Sequence, residues 1–78
     1  MNKNVEIIFP FAENKEATVM FFLKVFVVLR ELNLDDVFKE KRKFEAGEDL
    51  VIPISEVNLA TVEQSMQSLG YVYKILYR

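Results

Sequence analysis

Apolar and polar positions along this chain recur at two different periods. In 5–11 (VEIIFPF), Val5, Ile7, Phe9 and Phe11 share one face while Glu6, Ile8 and Pro10 share the other, the period of a strand. Pro10 has no N–H to donate, so regular ladder pairing is expected to fail there. From Asn14 to about Leu32 the pattern changes. This stretch is rich in Val and Phe, residues that favour strands, yet it runs without Gly or Pro far beyond a usual strand length. Length therefore predicts a helix. Asn14 is its expected N-cap, Glu16 suits the positive end of the helix dipole, and Asn33 is expected to take the left-handed position that ends it.

The segment 35–45 (DDVFKEKRKFE) reads as a second strand, with Phe38, Glu40, Arg42 and Phe44 on one face and Lys39, Lys41 and Lys43 on the other. Ala46, Gly47 and Glu48 then make a short turn in which Gly47 is free to take positive φ. The run 50–54 (LVIPI) is an apolar third strand interrupted at Pro53, a residue that a central strand tolerates badly. Ser55 or Asn58 caps a second helix whose apolar stripe is Leu59, Val62, Met66 and Leu69, and Gly70 stops it. In 71–78 (YVYKILYR), Tyr71, Tyr73, Ile75 and Tyr77 alternate with Val72, Lys74, Leu76 and Arg78 as a last strand. The order β-α-β-β-α-β predicts a single α+β domain over 1–78 of ferredoxin-like architecture. Its four-stranded antiparallel sheet carries both helices on one face, with the first and third strands central and the lysine-bearing one at an edge.

The first helix holds more apolar surface than a sheet can cover. At 100° per residue, Ala17, Phe21, Val25, Val28 and Leu32 form one arc, flanked by Phe22 and Leu29. Val19, Met20, Leu23, Phe26 and Val27 form a second arc on the other side. One arc suffices for the sheet; the other needs loops, the second helix or a partner to cover it. The pattern alone leaves open which arc faces inward. The second arc, Val19, Met20, Leu23, Phe26 and Val27, is the expected interface, and a homodimer is its simplest form.

Composition narrows the chemistry. The chain has 78 residues, with 51% hydrophobic and 28% charged, enough apolar material to fold rather than stay disordered. It contains no Cys, His or Trp, which excludes disulfides, thiolate and imidazole metal sites, and catalysis by Cys or His. Ser55, Ser65 and Ser68 have no base to activate them, so no enzyme and no cofactor is expected. Asp35, Asp36, Glu48 and Asp49 lack the spacing of a calcium loop, and no metal is expected either. A net charge of −2 gives no positive field to gather nucleic acid. Lys39, Lys41 and Lys43, joined by Lys74 and Arg78, could hold phosphates, but they read better as a solvated edge. Tyr71, Tyr73 and Tyr77 read as a core-facing row rather than a stacking platform for bases. The apolar run 17–29 carries Lys24 and falls well short of the roughly 20 residues that a membrane span needs. A soluble, cytoplasmic protein without membrane contact is therefore expected.

The run 22–34 (FLKVFVVLRELNL), followed by a charged strand, hairpin, apolar strand, helix and last strand, resembles an ACT domain over almost the whole chain. That resemblance implies a regulatory module that binds a free amino acid at the turn between the first strand and helix, across a dimer interface. The matching turn here is Ala12-Glu13-Asn14-Lys15-Glu16, so Glu13, Asn14 and Glu16 are the implied ligand-binding residues. The expected function is a non-enzymatic regulatory module that self-associates through its apolar first helix or an edge strand. The alternative is a stand-alone adaptor or inhibitor that binds another protein and no small molecule.

Overall fold

A computed structural model describes residues 5–77. Its element order is β1 (Val5–Phe9), α1 (Val19–Val28), α2 (Leu34–Glu45), β2 (Leu50–Ile54), a 3-10 turn (Glu56–Asn58), α3 (Leu59–Leu69) and β3 (Lys74–Tyr77). Both β2 and β3 pair antiparallel with β1, giving the strand order β2-β1-β3 among the described residues. The α+β class holds, but the ferredoxin-like, four-stranded sheet does not. Arg78, placed in the last strand by the sequence pattern, lies outside the described residues, as do 1–4.

The discrepancy has one origin, the segment read as a second strand. Residues 34–45 are a helix begun by a capping box: the Asp36 N–H donates to Asn33 Oδ1 at 2.9 Å, and the Asn33 N–H reaches back to Asp36 Oδ2 at 3.5 Å. Asp35 and Asp36 occupy the first turn and Arg42 and Lys43 the last, the arrangement the helix dipole favours. Lys41 pairs with Glu45 at 3.5 Å and Lys43 with Glu40 at 3.2 Å, one turn apart. Lys and Glu are good helix formers and poor strand formers. The period-2 alternation of lysines is thus a coincidence of spacing: Lys39 and Lys43 stand one turn apart, with Lys41 on the other side of the helix.

The inner face of the sheet and the helices share one core. Val5, Ile7 and Phe9 of β1 lie opposite Ile54, Ile52 and Leu50 of β2, all buried. Phe22, Leu23 and Phe26 from α1, Val37 and Phe44 from α2, and Val62 and Met66 from α3 close over them. Phe9 is the hub of the aromatic packing. Its ring stacks on Phe22 with centroids 4.0 Å apart and meets Phe44 and Tyr71 at 5.3 and 5.4 Å.

Pro53 becomes intelligible in this arrangement. The apolar run 50–54 is an edge strand, with alternating burial, and Pro53 stands on its exposed face. A missing N–H is tolerated where one side of a strand has no neighbour. Among the described residues only β1, paired along both edges, is central.

Each of α1, α2 and α3 ends in the same way. A residue at positive φ follows the last turn, and paired 6→1 and 5→2 hydrogen bonds satisfy the terminal carbonyls. At α3 the residue is Gly70 (φ 73°), with the Tyr71 N–H donating to the Met66 carbonyl at 3.0 Å. At α2 it is Gly47 (φ 89°), which closes a helix and not a hairpin. At α1 it is Arg30 (φ 61°), with the Glu31 N–H donating to the Phe26 carbonyl at 2.8 Å and the Arg30 N–H to the Val27 carbonyl at 3.0 Å. Asn33, expected to end the first helix, instead begins the next.

Candidate functional site

The turn after β1 is built around Asn14, which is not a helix cap. Helix α1 starts at Val19 after Thr18, whose side chain makes no capping bond. Asn14 is 5% exposed, and its amide is consumed internally. Its Nδ2 donates to the Pro10 carbonyl at 2.8 Å and to the Val72 carbonyl at 2.9 Å, while Oδ1 accepts from the Val72 N–H at 2.9 Å. The side chain thus pairs with the Val72 peptide as a strand would, tying the turn to the segment that leads into β3. Asp49 Oδ1 holds the same turn from the other side, accepting from the Phe11 N–H at 2.8 Å.

Of the three residues assigned to a ligand, Glu13 and Glu16 are exposed and Asn14 is a structural strut. They do border a common open groove of about 440 Å³, formed between Glu13, Lys15 and Glu16 on one side and Leu69, Gly70 and Tyr71 on the other. The Tyr71 hydroxyl donates to the Thr18 carbonyl at 3.2 Å, which fixes the ring at the groove margin. Tyr73 is also engaged: its hydroxyl accepts from Gln67 Nε2 at 3.0 Å and donates to Glu63 Oε1 at 3.1 Å. Tyr77, by contrast, is exposed at the end of β3, so the three tyrosines form no row.

The apolar surface of α1 divides differently from the expected interface. Val19, Leu23 and Phe26 are buried in the chain's own core, where no partner can reach them without unfolding it. Val27 is half-buried and Met20 exposed. The arc turned outward is the other one. Phe21 is 55% exposed and Val28 74%, with Lys24 between them at helical spacing. Leu34 (65%) and Phe38 (54%), one turn apart on α2, are exposed as well. Beside Val28, a shallow groove of about 230 Å³ runs between α1 and α3, lined by Lys24, Val25, Leu29, Thr61 and Ser65. Phe21 and Val28 were already grouped by the helical wheel; Leu34 and Phe38 were hidden by reading their segment as a strand or its approach.

The buried carboxylate of Glu31 ties two elements together. Glu31 Oε2 accepts from the Ser55 N–H and from Asn58 Nδ2, both at 2.8 Å, and so anchors the start of the 3-10 turn to the end of α1. A capping residue 24 positions away leaves no local signal. Among the described residues no group of three or more acidic side chains is placed to hold a metal ion, and no helix is long and apolar enough to cross a membrane.

Comparison with known proteins finds no match among family models, curated proteins or solved structures. Nothing identifies an ACT domain, and the strand order on which that resemblance rested requires a strand at 35–45, where the chain is helical.

Proposed function

We propose that this chain is a cytoplasmic, non-enzymatic interaction module that self-associates as a dimer through the outward face of α1. The observation that carries this reading is the exposure of Phe21 and Val28 on the side of α1 opposite its buried Phe22, Leu23 and Phe26. A helix apolar on both sides is normally covered on both sides. Met20 on α1 and Leu34 and Phe38 on α2 are further exposed apolar side chains. Helices of 10 and 12 residues present a small face, so the dimer belongs to the weak, reversible end of the interface range.

Sedimentation velocity across a dilution series tests this. The parent chain shifts toward a dimer as concentration rises, while Phe21→Glu and Val28→Glu stay monomeric and folded by circular dichroism. Leu23→Glu, in the core, unfolds instead. A parent that stays monomeric at every concentration removes self-association and leaves the adaptor that docks this face on a different protein.

A second reading rests on the groove beside Glu13 and Glu16, a size suited to a small molecule such as a free amino acid. Thermal unfolding with each amino acid at millimolar concentration tests it. A ligand at 100 times its Kd adds roughly 2.7 kcal/mol, a rise of about 10 °C or more for a chain this short. No shift with any of the twenty rejects this reading.

A further inference from the structure

We draw no further inference here: the strongest candidate, the outer face of the sheet where Ile8, Val51, Pro53 and Leu76 stand around Glu6, carries nothing because nothing in the structure shows what covers it.

Discussion

Asn14 ties the turn after β1 to the segment before β3, and Arg30 takes the left-handed position that ends α1. Truncating Asn14 to Ala removes three hydrogen bonds at a buried position and strands the Val72 N–H. The expected loss is about 2–4 kcal/mol, read as a lower urea midpoint at unchanged slope. Asn14→Asp is expected to cost more despite its similar shape. It loses both donors and turns a carboxylate oxygen toward the Pro10 and Val72 carbonyls. Equal stability of the Asp variant and the parent would contradict the strut assignment. Arg30 gives the opposite sign. A non-glycine residue in the left-handed region is strained by about 1–2 kcal/mol, and Arg30 is an exposed residue in that region. Allowing for the added freedom of glycine in the unfolded chain, Arg30→Gly is expected to stabilise by about 0.5–1 kcal/mol. Neither role is legible in the sequence. Asn14 has the right chemistry for a helix cap, and the partner that claims it lies 58 positions away. An arginine in the left-handed region gives no sequence signal at all.

At the scale of elements, local chemistry was informative wherever it was weighed against pattern. The strand 5–9 stops at Pro10 as a missing N–H requires, and Gly70 ends α3 because only its backbone takes φ 73° without strain. In 35–45 alternating lysines satisfy a strand template, while two stronger local signals point to a helix. Those signals are Asn33 spaced three residues before Asp36 and a composition dominated by Lys and Glu. Asn33→Ala, which removes the N-cap oxygen of α2, therefore costs about 1 kcal/mol, read as a lower urea midpoint. Helical Cα chemical shifts across 34–45 in the parent are the accompanying expectation. Extended shifts there would restore a fourth strand and overturn the topology. Pro53 was the one discordant residue in the four-stranded arrangement, and it pointed the right way: an edge strand accommodates it and a central strand does not.

At the scale of the whole molecule, three strands and three helices among the described residues close a core on one side of the sheet. The excess of apolar surface on the first helix was legible from the helical wheel, but its direction was not. Both arcs are apolar, and the choice between them is made by α2 and α3, whose positions depend on long-range packing. Phe22, Leu23 and Phe26 turn inward because they meet Phe9 and the rest of the core there, which leaves Phe21 and Val28 outside. We propose that another copy of the chain docks on this outward row. The most direct measurement is the amide ¹H–¹⁵N spectrum followed through a dilution series, because it maps the surface as well as the equilibrium. Docking on this row predicts concentration-dependent shifts clustered at Met20, Phe21, Lys24, Val28, Leu34 and Phe38, with little movement at Glu13, Glu16 or β3. Shifts confined to β3 or to the turn around Glu13, or a spectrum that does not change on dilution, would contradict it.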